Sequence, residues 1–214
     1  MRKLMTVSKV VVLSFVFVFI FSSIGVATEP ISPDCPVYDE VYDLNEQQEE
    51  DLVFMYEEEK MARDLYAAFA EEWDARIFEN ISQSEDNHMA AIARLLDKYD
   101  LEKPDLEPGE FDNQELADLY EELLEQGLSS YEGALEVGKA VEIIDIEDLE
   151  TKADRANPDV EAVFMNLLRG SHSHLEAFER QLESDVARGG GFAGNNDRGD
   201  RGGRRGGGNS RRFN

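Results

Sequence analysis

The sequence predicts an all-α protein, a four-helix bundle with an extra short helix in the connection between the second and third long helices. Three observations carry this. Apolar residues recur at spacings of three and four through most of residues 46–187, and no strand-like alternation persists. Helix-start residues stand ahead of the periodic stretches: Asn45, Ser129 or Ser130, and the pair Asn157-Pro158. Finally, two elements ending in histidine, E-D-N-H at 85–88 and S-H-S-H at 171–174, each follow a helix that carries carboxylates. Carboxylate helix, E-x-x-H helix, then the pair again is how a bundle builds a two-metal carboxylate site.

Taken in order, Asn45 caps a first helix from about Glu46 to Glu72, with Leu52, Met55, Tyr56, Ala62, Leu65, Tyr66 and Phe69 as its buried stripe. Glu59 falls on that stripe; a small rotation of the helix would put Glu58 there instead. Trp73-Asp74 interrupts the pattern, and a second helix spans about Ala75 to Tyr99 with Ile77, Phe78, Ile81, Ile92, Leu95 and Leu96 inward. Pro104, Pro108 and Gly109 mark a loop. A shorter helix follows over Asn113–Gln126, with Gly127 in the position of a C-terminal cap. A third long helix covers Tyr131 to about Leu149, and a fourth starts with Pro158 at its first position and runs to about Ser184.

The ends of the chain have a different character. Residues 1–27 combine basic Arg2, Lys3 and Lys9 with an apolar run from Val10 to Phe21 and the small residues Gly25-Val26-Ala27. That is the pattern of a cleaved signal peptide, and the apolar run is short for a membrane span of about 20 residues. The expected location is therefore secreted or extracytoplasmic, in the cell envelope. Residues 28–45 form a linker containing Pro30, Pro33 and Pro36, the helical domain occupies 46–187, and residues 188–214 are an Arg/Gly-rich tail expected to be disordered. Cys35, the sole cysteine, excludes an internal disulfide and a thiolate zinc site.

Charge is divided unevenly. Thr28–Val186 holds 11 Lys+Arg against 45 Asp+Glu, whereas the remainder to the C-terminus has 7 Arg and 2 Asp. So acidic a body repels nucleic acid and attracts metal ions. The basic tail suits an anionic cell-envelope polymer or the chain's own acidic body.

A site for two metals needs carboxylates to bridge and neutralise the ions and imidazoles to cap them, all converging in a dry interior. The candidates are Glu59 on the first helix, Glu85 and His88 on the second, Glu142 and Asp145 on the third, and His174 on the fourth. Glu85 and His88 are one turn apart on one face. His172, two residues from His174, points away from it. The chain has only three histidines, and two of them end such elements.

Four runs carry a family resemblance. E-K-M-A-R-D-L-Y at 59–66 resembles the first-helix motif of rubrerythrin-type ferritin-like proteins, and I-F-E-N-I-S-Q-S-E-D-N-H at 77–88 resembles their second. V-E-I-I-D at 141–145 and S-H-S-H-L-E-A-F at 171–178 are similar to their third and last. Together, over about Glu46–Ser184, they resemble an uncharacterised prokaryotic ferritin-like domain family. The resemblance implies a ferritin-like bundle and a carboxylate-bridged centre, with iron as the expected cofactor at two ions per chain and manganese or zinc as alternatives. It implies Glu59, Glu85, His88, Glu142 and His174 as ligands, with Tyr56 and Tyr66 nearby. The implied reactions are peroxide reduction or ferrous-iron oxidation. One position departs from the pattern: Ser171 stands where the last helix should present a glutamate, and Asp145 is the candidate to replace its charge. No cysteine pairs for a rubredoxin-like iron centre are present. A helical binding or structural module with a degenerate or mononuclear site is the competing expectation.

Overall fold

The computed structural model describes residues 40–187, so the expected leader, most of the linker with Cys35, and the Arg/Gly tail lie outside the described residues. Among the described residues the chain is entirely helical, without strands: α1 Glu46–Trp73, α2 Arg76–Lys98, α3 Gln114–Leu128, α4 Tyr131–Ala153 and α5 Pro158–Ala187. None of these helices is long and apolar enough to cross a membrane.

Local chemistry sets the helix ends. The Asn45 side chain accepts from the Gln48 backbone N–H (3.1 Å), and the Gln48 side chain accepts from the Asn45 N–H (3.0 Å). This reciprocal capping box satisfies two of the donors that a helix start leaves open. At the other end, Asp74 adopts a left-handed conformation (φ 48°) and its N–H reaches the Ala70 carbonyl, so α1 stops and α2 begins after two residues. Ser130 caps α4 by accepting from the Gly133 N–H at 3.0 Å.

Gly127 does not cap α3 but lies inside it. A Cβ there would come within 2.1 Å of the Phe69 ring. The glycine is needed because α3 presses on α1, and the helix continues past it to Leu128.

Two antiparallel pairs, α1/α2 and α4/α5, pack together through α1 on α4 and α2 on α5, while α3 lies against α1 and α4. The interior holds two apolar clusters. One gathers Leu52, Met55, Ile92, Leu96, Leu149 and Phe164; the other gathers Leu65, Phe69, Phe78, Leu135 and Phe178, with Phe69 and Phe78 edge to face at 5.5 Å. On each of the four long helices the sequence passes from one cluster to the other through a short polar layer. That layer contains Glu59, Glu85, His88, Glu142, Asp145, Ser171 and His174.

Candidate metal centre

Helical phase brings the polar layer together. Glu85 and His88 are one turn apart on α2, Glu142 and Asp145 one turn apart on α4, and Ser171 and His174 one turn apart on α5. Glu59 faces them from α1. All are buried, with none of the carboxylates or imidazoles more than 9 % exposed, so bulk water cannot satisfy them.

Glu85 is the hub. His88 Nδ1 lies 2.8 Å from Glu85 Oε2 and 3.2 Å from Glu59 Oε2. His174 Nδ1 lies 2.9 Å from Glu85 Oε1 and 3.5 Å from Glu142 Oε2. Ligating atoms of Glu59, Glu85 and His88 fall within 4.8 Å of one another, and so do those of Glu85, Glu142 and His174. The two imidazole rings stack with centroids 5.4 Å apart. Two triads therefore share one carboxylate.

Atoms around the ligand set are oriented for the same purpose. The Nε2 edge of His174 hydrogen-bonds Ser84 Oγ at 2.9 Å. The tautomer that donates there leaves the Nδ1 lone pair facing Glu85 and Glu142. Gly170 abuts His88: a Cβ at that position would sit 2.5 Å from His88 Nε2. The Tyr66 hydroxyl donates to Glu142 Oε1 at 2.6 Å. Ser171 donates to the Leu167 carbonyl at 3.0 Å and also lies within hydrogen-bond reach of Asp145. Tyr56, also expected near the centre, is buried in the apolar cluster with Leu52 and Met55.

The electrostatics are out of balance. Burial raises Glu59 well above the usual carboxylate range, with Asp145 adding to the effect and His88 opposing it. Burial likewise lifts Glu142 to about 8 and Asp145 to about 7. For Glu85 burial works upward too, but hydrogen bonds from His174 and His88 outweigh it and bring it to about 2. Burial disfavours both imidazoliums, yet their carboxylate neighbours prevail, raising His88 to about 11 and His174 to about 9. The layer sets four carboxyl groups against two imidazoles, and without a further cation the surplus is borne by protons held on Glu59, Glu142 and Asp145. Glu59 Oε1 and Asp145 Oδ1 have no hydrogen-bond partner, and Glu85 Oε1 and His174 Nδ1 have only each other, at 2.9 Å. Buried polar atoms are rarely left so, and a cation is the group that satisfies oxygen and imidazole nitrogen together. The donor set fits a transition-metal ion.

Each expected ligand is in the layer, although Asp145 joins neither triad. His172 is exposed, as its offset from His174 requires. Ser84 carries no signal in the sequence, because its role depends on which way the His174 ring turns. Glu58 is buried as well as Glu59, but of the two only Glu59 joins a triad.

Residues 48–193 match the family described as "Uncharacterized protein domain (DUF2202)". The chain is 40% identical to the uncharacterised protein MJ0754 of Methanocaldococcus jannaschii over 144 residues, covering 66% of this chain and 78% of the relative. The crystal structure of hypothetical protein MJ0754 superimposes with a TM-score of 0.67 at 38% identity, covering 69% of this chain and 86% of that one. On the extent of the family match, the chain belongs to the DUF2202 family.

Proposed function

We propose that this is a ferritin-like protein, exported on the strength of its leader-like first 27 residues, whose bundle holds a dinuclear carboxylate-bridged metal centre. The observation that carries this reading is the pair of buried triads joined at Glu85. Glu85, with one oxygen toward each imidazole, would be the carboxylate shared by the two ions. Glu59 and His88 complete one half-site, and Glu142 and His174 the other. Asp145, beside Ser171, would supply the negative charge that the last helix lacks. Tyr66 fixes the Glu142 carboxylate through its hydroxyl. Iron is the proposed metal; bound there, it would supply electrons to peroxide or pass them from ferrous iron to oxygen. The protein's own part is to exclude water with the two apolar clusters and to hold the donors at their spacing.

Ser171 favours a second reading, a helical binding module with a mononuclear site, in which only the Glu59–Glu85–His88 triad is filled. Metal content separates the two. The chain expressed in iron-supplemented cells should carry about two metal ions, and replacing both His88 and His174 with Ala should abolish uptake while helix content by circular dichroism persists. One ion per chain would support the second reading. A thermally stable protein that takes up no metal would refute both.

A further inference from the structure

Trp73 is the only tryptophan of the chain and the last residue of α1. Its ring is half-buried, and its indole N–H donates to the Gly127 carbonyl at 3.2 Å. An easily oxidised side chain is thus held in place with part of it open to solvent. Inward, the ring meets Tyr131 edge to face, with centroids 6.4 Å apart. Tyr131 meets Phe78 at 6.2 Å, and Phe78 stacks on Tyr66 at 6.4 Å. Tyr66 is fully buried, and its hydroxyl donates to Glu142 Oε1 at 2.6 Å. Ring contacts and one hydrogen bond therefore run without a break from the surface to a carboxylate of the polar layer.

Packing at this end of the bundle needs only bulky apolar rings, and Phe69, Phe78 and Phe178 supply them. Tyr66 and Trp73 add what phenylalanine lacks, a ring that gives up one electron to an oxidant of ordinary strength. The two stand at opposite ends of the series. The inner one has a carboxylate to take its proton, and the outer one borders water. Electron tunnelling weakens steeply with distance, so rings in mutual contact within a dry cluster carry an electron that isolated rings would not.

We propose that Trp73 and Tyr66 are the outer and inner ends of an electron path between solvent and the metal centre, with the Tyr131 and Phe78 rings as its bridge. The proposal rests on the dinuclear metal reading above and adds the route by which that centre is re-reduced. Peroxide reduction consumes electrons that must come from outside the chain. In each one-electron step, Tyr66 gives an electron toward the centre and its hydroxyl proton to Glu142. Trp73 then gives an electron to Tyr66 across the bridge, and the proton returns from Glu142. Trp73 keeps its indole proton, shared with the Gly127 carbonyl, until a one-electron reductant in solution restores it.

Pulse radiolysis of the metal-free full-length chain tests the path. Azide radicals oxidise tryptophan in preference to tyrosine, and with a single tryptophan present the transient tryptophan-radical absorbance belongs to Trp73. Above about pH 8, where Glu142 is ionised, that signal should pass into a tyrosyl signal at a rate independent of protein concentration. Tyr66→Phe should slow the conversion by about tenfold or more, whereas Tyr131→Phe, which keeps the bridging ring, should leave it within about twofold. An unchanged rate in Tyr66→Phe would overturn the proposal. So would loss of the conversion in Tyr131→Phe, because the radical would then come to rest on Tyr131 without reaching Tyr66. Both substitutions keep the ring, and an unaltered circular dichroism spectrum separates a failed path from a failed fold. No metal takes part in this measurement, so its failure is distinct from failure of the metal reading, which metal content decides.

Discussion

Gly170 shows how a residue without a side chain controls one that has chemistry. Because α5 offers no Cβ at that point, the His88 ring can lie against the helix backbone with Nδ1 turned to Glu59 and Glu85. Gly170→Ala would place a methyl group 2.5 Å from His88 Nε2, and the ring is the part able to move. The expected outcome is a loss of metal affinity of about tenfold or more, the scale on which orienting contacts act. Titration calorimetry with Co(II) would register it, while the thermal midpoint of the metal-free chain should change little. The imidazoles and carboxylates themselves were legible in the sequence, since helical phase alone aligns Glu85 with His88 and puts Glu59 on the apolar stripe. Gly170 and Ser84 were not, because what they do depends on the packing of one helix against another.

At the scale of helices, α1 departs most from a simple amphipathic pattern. An acidic run such as Glu57-Glu58-Glu59 ordinarily marks a solvated face. Here Glu57 through Lys60 are all buried: Glu59 faces the interior, while α3 and the loop before it cover Glu57 and Lys60 on the side that four helices alone would leave open. Glu57 and Lys60 fasten that cover. Lys60 donates to the carbonyls of Glu107 and Glu110, and Glu57 receives the N–H groups of Asp112 and Asn113. The sequence marked α3 as a helix but gave no sign that it would roof α1, because its partners lie about fifty residues away along the chain. Gly127 is where the roof touches. An alanine there would gain about 1 kcal/mol of helix propensity, whereas forcing a methyl against Phe69 costs about 1–3 kcal/mol. Gly127→Ala should therefore lower the urea midpoint with an unchanged m-value.

The bundle buries more carboxyl groups than imidazoles, and this makes its stability depend on pH in a particular direction. Asp145 and Glu142 ordinarily titrate at 3.8 and 4.5, but in the fold they do so at about 7 and about 8. A carboxyl raised on folding holds its proton more tightly in the native state. Its contribution is therefore full below the unfolded value and lost as pH rises through the folded one. The raised values of His88 and His174 act in the same sense at higher pH, while the lowered Glu85 acts oppositely, and only as pH falls toward about 2. Between about pH 4 and pH 8 the metal-free chain should thus lose stability, as differential scanning calorimetry would record. Bound metal replaces those protons, so the rise in Tm that it produces should grow over the same interval. A metal-induced rise in Tm that shrank with pH would contradict this.

The position of Glu85 has a consequence for how the centre is assembled. The first triad, Glu59 with Glu85 and His88, is contained in a single helical hairpin joined by a two-residue turn. The second recruits Glu142 and His174, so it exists only once the other hairpin has docked. One half of the centre is local in the chain and the other is a property of the closed molecule. Partial opening between the hairpins would dismantle the second while sparing the first, and the α1/α2 hairpin would carry its triad through that opening intact.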